Sequence, residues 1–289
     1  MLQNKDKIFE GAILERIMLS VSFHQTFIPE RRLIAALLDY AFRGHQGTIK
    51  EMSDATGIPM GKSSGKMPAI LDYCKGMGLI EVQEELKGIK RPVLTQFGAL
   101  VQAEDRFLGE EIVQWIVHMN LCRGDIGAKT WHEIFAKSCT ILGSNFSKLQ
   151  MEDYLINVCG QGKDRIGPMI TTYLDDAALK RAGSLFLTNE LINRRKAPIL
   201  EAYAIPYALH LLSLLETNFP GQGQVTVSDF LDKTLWFNIC HWNENDAKQV
   251  FSIIETCGYI SIDRQMKPWI IEIRKELEDK WSHFFDDIA

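Results

Sequence analysis

No stretch of the 289-residue chain supplies the run of about 20 apolar residues that a membrane-spanning helix needs. The longest candidate, Ile205 to Leu215, is broken by Pro206 and His210. The N-terminus carries Asp6, Glu10 and Glu15, which the apolar core of a signal peptide would not tolerate. A cytoplasmic protein with no membrane role is therefore expected. Paired cysteines are missing too. The six cysteines, at 74, 122, 139, 159, 240 and 257, form no CxxC or CxH pair. That argues against a structural zinc site and a disulfide framework, and reduced interior thiols are the simpler reading. Positive charge is not in excess: 32 basic against 37 acidic residues give a net charge of −5. A blanket of cationic surface is excluded, but a local basic face for nucleic acid is not.

Catalytic signatures are also lacking. There is no GxSxG, HExxH or dinucleotide fingerprint. Gly57-Ile-Pro-Met-Gly61-Lys62-Ser63 looks like a phosphate-binding loop. It has three rather than four residues between its glycines, and a polar helix rather than a buried strand precedes it. Asp72 with Glu85-Leu-Lys87 imitates a nuclease D…ExK core, but the Glu-x-Lys falls on an expected hairpin tip. His118, His132 and His241 lack a metal-binding partner at helical or hairpin spacing. Caps or satisfied core histidines are the simpler reading for them.

What the sequence does contain is a clear order of elements. An apolar share of 46% with 24% charged residues is that of a globular protein, and the length suggests two or three domains. Glu30–Phe42 repeats apolar residues at helical spacing. Thr48-Ile-Lys-Glu51 is a capping box that opens a second helix ending near Gly57. A third helix runs from Ser63 or Ser64 to Lys75, then Leu79–Glu84 and Arg91–Leu94 flank a polar tip. Helix, helix, turn, helix, strand, wing, strand is the winged-helix order. A weak repeat follows near the C-terminus. Thr226-Val-Ser-Asp229 opens a helix through about Cys240, and Asn243–Asp246 caps the next. Gly258–Ile262 and Trp269–Ile273 follow as strands. Residues 108–219 look wholly helical, including Ser184–Arg194. The tail Arg274–Ile288 is amphipathic and expected to fold back on the body.

The expected class is mainly α with small β wings. It comprises an N-terminal arm plus winged helix over 1–105, a helical domain over 106–222, and a winged-helix-like unit with a C-terminal helix over 223–289. On the third helix Met67, Ile70, Leu71 and Cys74 are expected to face the core, and Gly65, Ala69, Asp72, Tyr73 and Gly76 to face out. Gly61, Ser63 and Ser64 at its start could meet a phosphate through amides and hydroxyls, with Lys62 and Lys66 adding charge. Lys87, Lys90 and Arg91 put charge on the wing, and Arg194 and Arg195 form a second basic cluster. Each has a plainer alternative: a winged helix that only packs or binds protein, or cations decorating a helix C-terminus. Phe23-His24-Gln25-Thr26-Phe27, bounded by Pro29, is either an arm that reaches nucleic acid or a hydrophobic staple.

A family resemblance rests on the order of several motifs. These are Phe23-His24-Gln25-Thr26-Phe27, Gly61-Lys62, Ile70-x-x-Tyr73-Cys74, Gly78-Leu79-Ile80, Leu94-Thr-x-Phe-Gly98, Gln114-Trp115, His118-x-Asn-Leu121 and Trp131…Phe135. In this order the chain resembles the bacterial family catalogued as domain of unknown function four thousand and seven, over about residues 23–140. The nicking component of Ssp-type DNA phosphorothioation systems resembles that family. The resemblance implies a DNA-binding component of a phosphorothioate modification and defence system, in which sulfur replaces a non-bridging phosphate oxygen. It implies a cysteine desulfurase, an ATP-dependent sulfur-activating enzyme and an ATPase as partners. It leaves open a nicking endonuclease activity with a divalent metal, and a homo-oligomer. It assigns no catalytic residue and no role to His24, Gln25 and Thr26. A winged-helix transcriptional regulator and a protein scaffold without a DNA role are the competing readings.

Overall fold

The computed structural model describes residues 18–60, 65–85, 88–162, 165–274 and 280–288. Those residues are mainly α-helical, with three small antiparallel sheets.

The N-terminal elements form where local chemistry requires them. Helix α1 (Arg31–Phe42) buries Leu33, Ile34, Leu37, Leu38 and Ala41, the stripe set by its apolar spacing. Thr48 and Glu51 make the expected reciprocal capping box at the start of α2 (Ile49–Thr56). Gly57 ends that helix at φ 69°, a left-handed conformation that glycine adopts without strain. Helix α3 (Lys66–Gly76) follows, then the hairpin of β1 (Ile80–Glu84) and β2 (Lys90–Leu94). Gly47, between α1 and α2, bridges Lys90 and adds a single-residue rung to the hairpin. Helix α4 (Gln96–Glu104) starts at a Thr95 cap. Its Gly98 lies against β1, since a Cβ there would meet the Leu79 carbonyl oxygen at 1.8 Å.

The middle of the chain departs from expectation. Helix α5 (Glu111–Leu121) is buried along nearly its whole length. Helix α6 (Lys129–Trp131) runs into a π-helical turn at His132–Lys137, followed by α7 (Cys139–Leu142). Strand β3 (Asn145–Phe146) leads to α8 (Lys148–Cys159) and α9 (Ile166–Leu174). The segment Ser184–Arg194 is not a helix. It is the hairpin of β4 (Leu185–Thr188) and β5 (Leu191–Arg194), which with β3 forms a sheet of order β3-β5-β4. Asn189 and Glu190 take φ 49° and 66°, the two-residue turn that suits strand twist. Leucine-rich local propensity favoured helix, and burial of Leu185 and Ile192 on one face overrode it. Residues 176–182, expected to include a short helix, are turns.

The C-terminal part begins with α10 (Ala204–Asn218) and β6 (Gln224–Thr226). The helix expected to reach Cys240 is split into α11 (Val227–Thr234) and α12 (Trp236–Ile239), because Leu235 adopts φ 53° and ends the first. Helix α13 (Glu244–Thr256) has the expected Asn243–Asp246 capping box. Strands β7 (Ile260–Asp263) and β8 (Ile270–Ile273) join β6 in the order β6-β8-β7. The tail does fold back: Trp281 and Phe284 pack on Phe97 of α4, with ring centroids 5.3 and 6.0 Å away. One continuous apolar core therefore runs from Leu19 to Phe284.

Candidate nucleic-acid interface

Two sequence features that lie 40 residues apart meet in space at the start of α3. The arm is held by Leu19, which bridges Ala128, and by Phe23, whose buried ring stands edge-on to Tyr73 and Trp131 at 4.8 and 5.6 Å. The Tyr73 hydroxyl donates to the Phe27 carbonyl at 3.0 Å. Gln25 Oε1 accepts from the amide of Gly65, the N-cap of α3, at 3.1 Å. The arm side chain thus satisfies the N-cap amide of α3, the bond that the Glu or Gln of a capping box makes within its own helix. His24 Nδ1 accepts from the Thr26 amide at 3.1 Å. Gln25 and Thr26 hold φ of 45° and 73°, a region costly for a β-branched threonine. Such strain persists only where its surroundings impose it, and it clusters at functional positions.

Lys66 extends from the same corner. Its ammonium meets Glu30 Oε1 at 2.5 Å and lies 5.3 Å from the centre of the Phe27 ring. Partial burial pushes the Glu30 carboxyl up, but hydrogen bonds and charge from Lys66 and Arg32 bring it below its ordinary range. Lys66 is therefore partly neutralised. Thr26 is exposed, and Gln25 and Lys66 are half-buried. Gly61, Lys62, Ser63 and Ser64, and also Lys87, lie outside the described residues.

The expected outward face of α3 needs correction. Gly65, Ala69, Tyr73 and Gly76 are buried, as are the core-facing Met67, Ile70, Leu71 and Cys74. The second covering layer is the arm, Trp131 and α5. A Cβ on Gly76 would come within 2.8 Å of Leu19 Cδ1 and 2.9 Å of Leu121 Cδ1. Only Pro68, Asp72 and Lys75 keep a stripe of α3 in reach of solvent, with Lys66 at its start. Asp72 lies 4.0 Å from Lys75, and Lys90 is paired with Glu84 across the hairpin. Burial raises the Asp72 carboxyl, while Lys75 and Lys90 counter it. Both Lys75 and Lys90 thus have an acid beside them, and Arg91 is exposed opposite Gln83.

In the second basic cluster Arg194 is buried and Arg195 is exposed. Arg194 is 7% exposed. Its guanidinium donates to the carbonyls of Gly143 and Ile134 at 2.9 and 2.8 Å and to Ser138 Oγ at 2.7 Å. It also lies over the rings of Phe146 and Phe135. Arg195 is paired with Glu111 at 2.8 Å and donates to the carbonyls of Arg181 and Ala182. Neither joins the α3 corner.

A polar network behind Trp131 escaped the sequence reading. Trp131 Nε1 donates to the Tyr173 hydroxyl at 2.9 Å, and that hydroxyl contacts His118 Nδ1 at 2.7 Å. The Tyr173 hydroxyl has one proton and two acceptor sites, so it can accept from Trp131 and donate to His118 Nδ1 at the same time. Burial pushes the His118 pKa down to about 3, which keeps the ring neutral. His210 is likewise pushed to about 3, by burial and by Arg123. Histidine–tyrosine spacing of 55 residues carries no local signal, so only the fold could reveal this cluster. The six cysteines are free thiols. Among the described residues no three His, Cys, Asp or Glu side chains converge as metal ligands.

The described residues hold no helix long and apolar enough to cross a membrane. No family model matches the chain, and no curated protein matches it. Two solved structures do. One is an SspB crystal structure, with a TM-score of 0.67, 12% identity, and coverage of 94% of this chain and 88% of that chain. The other is magnesium ion-bound SspB, with a TM-score of 0.65 and the same identity and coverage. The fold resembles that of SspB. At 12% identity the likeness to SspB is one of fold.

Proposed function

We propose that this chain is a DNA-binding component of a bacterial DNA phosphorothioate modification and defence system. The observation that carries the reading is the SspB-like fold, which extends over 94% of the chain rather than over one common module. The motif order shared with the phosphorothioation-associated family supports it. So does the meeting of the strained His24–Thr26 arm with the start of α3. In this reading the units about 1–105 and 223–289 are winged helices, flanking a centre that shares their core. The working partners are the cysteine desulfurase, the ATP-dependent sulfur-activating enzyme and the ATPase of the same system, in the cytoplasm.

DNA approaches the arm and the N-terminal end of α3 rather than the flat of that helix, because the flat is covered and Asp72 sits on what remains. Lys62, Ser63 and Ser64 precede this end in sequence, and Thr26, Lys66 and Arg91 are the described contributors. Arg194 is left out of the docking face because its donors are engaged inside the protein, and exposed Arg195 because it is paired with Glu111.

The test is a gel-shift titration in salt on a DNA duplex, comparing wild type with Lys62→Glu and Arg91→Glu. Each lost phosphate contact lowers the salt slope by about one. Unchanged affinity and slope in both variants would refute docking at this corner. Incubating supercoiled plasmid with the protein and Mg²⁺ or Mn²⁺ decides whether it also nicks. Relaxed circles support a nicking role, and none across metals and pH leaves binding alone. Protection of a single operator would instead favour a transcriptional regulator. Partner binding without DNA affinity at low salt would favour a scaffold.

A further inference from the structure

The C-terminal unit carries an open groove with an exposed apolar knob beside it. The groove measures about 810 Å³ and lies between α11, the start of α13 and the β7–β8 hairpin. Leu231, Phe237, Trp242, Phe251 and Trp269 give it an apolar floor. The Phe237 ring holds the aromatic set together, with its centroid 5.5 Å from that of Phe251 and 5.8 Å from that of Trp242. The Val227 amide donates to the Trp269 carbonyl at 2.8 Å and so fixes the hairpin to the start of α11. Asp232, Glu244 and Lys248 stand exposed on the helical walls. None of the three has an ion pair or a hydrogen-bonded side chain among the described residues. Two acids against one lysine give these walls a net charge of −1.

The knob is the tip of the same hairpin. Met266 is 79% exposed, the highest value among the exposed large apolar side chains of the described residues, and it does not line its own groove. The turn that presents it is tied down. Asp263 Oδ1 accepts from the Gln265 amide at 2.9 Å. Arg264 pairs with Glu255 at 2.6 Å and lies 5.5 Å from the centre of the Trp269 ring. Lys267, next to Met266, is exposed and has no ion pair among the described residues. An unbranched methionine fits irregular gaps, and its sulfur makes favourable contacts with aromatic rings. A cationic tip with an apolar knob thus adjoins a groove with an apolar floor and anionic walls. Side by side on one face, the two are self-complementary about a two-fold axis. We infer that this face pairs with a second copy of the chain, each Met266 entering the other copy's groove and each Lys267 meeting the other copy's Asp232 and Glu244. One tip and one groove, used twice, make a small interface of the weak, transient class. The inference does not rest on the proposed function.

The experiment is sedimentation velocity of the full chain from about 1 μM to 1 mM, the range in which weak interfaces associate. Wild type passes from monomer towards dimer across that range. Met266→Asp takes two methionines out of each dimer and puts two charges on an apolar floor, so it weakens association at least about 100-fold. The exposed site lets this variant keep the wild-type Tm in dilute solution, which separates a lost contact from a lost fold. Lys267→Glu and Asp232→Lys each set like charges against each other in both contacts, and each alone associates about tenfold more weakly. An equimolar mixture of these two variants regains association, because in the mixed dimer both contacts again join opposite charges. A chain that stays monomeric over the whole range overturns the inference and leaves the groove to a segment of another protein. A dimer that Met266→Asp does not weaken overturns it as well, since the interface then lies elsewhere. So does a mixture that associates no better than its two components. Loss of DNA binding with the dimer intact sinks only the proposed function.

Discussion

Replacing Arg194 with alanine separates the sequence expectation of a DNA contact from the structural role the fold gives it. The guanidinium makes three hydrogen bonds, to Gly143 O, Ile134 O and Ser138 Oγ. Truncation orphans the Gly143 carbonyl. The Ile134 carbonyl keeps one partner, the Ser138 hydroxyl at 2.6 Å. An unsatisfied buried acceptor costs about 1–3 kcal/mol, and the lost contact with Phe146 adds about 0.5–2 kcal/mol. Part of this is offset because a buried cation no longer has to be desolvated. The expected loss is about 1–4 kcal/mol in equilibrium urea unfolding, seen as a lower midpoint with an unchanged slope. Arg194→Lys keeps the charge but not the planar fork, and it should recover less than half of the loss. DNA affinity per folded molecule should keep its wild-type salt slope in both variants. A cost under about 1 kcal/mol, together with a salt slope reduced by one, would put Arg194 on the DNA and refute the reasoning.

Gly98→Ala places a methyl 1.8 Å from the Leu79 carbonyl oxygen, a backbone atom that cannot swing away. It should destabilise by about 3 kcal/mol in the same unfolding assay, and tolerance would contradict the α4–β1 packing. Neutral buried His118 and His210, both pushed to about 3, bind fewer protons folded than unfolded between about pH 3 and the ordinary value of 6.5. Stability is therefore full above pH 6.5 and falls as pH drops below it, by about 2 kcal/mol per histidine at pH 5. His210→Gln should remove about half of that pH dependence, measured by urea midpoints at pH 7.5 and 5. Thr26→Asn relieves a left-handed φ that asparagine tolerates better, and should stabilise by about 0.5–1 kcal/mol. If the strain serves docking, DNA affinity falls in the same variant; unchanged affinity would mark the arm as a staple only.

The sequence was informative where structure is local. The Thr48–Glu51 and Asn243–Asp246 boxes, the apolar stripe of α1 and the two C-terminal strands all lie where spacing and capping put them. Those signals depend on neighbours three or four residues away, so the chain carries them without its fold. Net charge, the absent cysteine pairs and the order of motifs likewise need only the sequence. Tertiary structure decided the rest. Ser184–Arg194 became a hairpin because β3 and a buried face were there to receive it. Tyr73, Ala69 and Gly76 went inside because the arm, α5 and Trp131 cover the side of α3 that a single helical wheel leaves open. Arg194 changed from a surface cation to an interior strut by meeting carbonyls about 50 and 60 residues away in sequence. A side chain's exposure is set by whatever packs on it from distant sequence, and no local period encodes that.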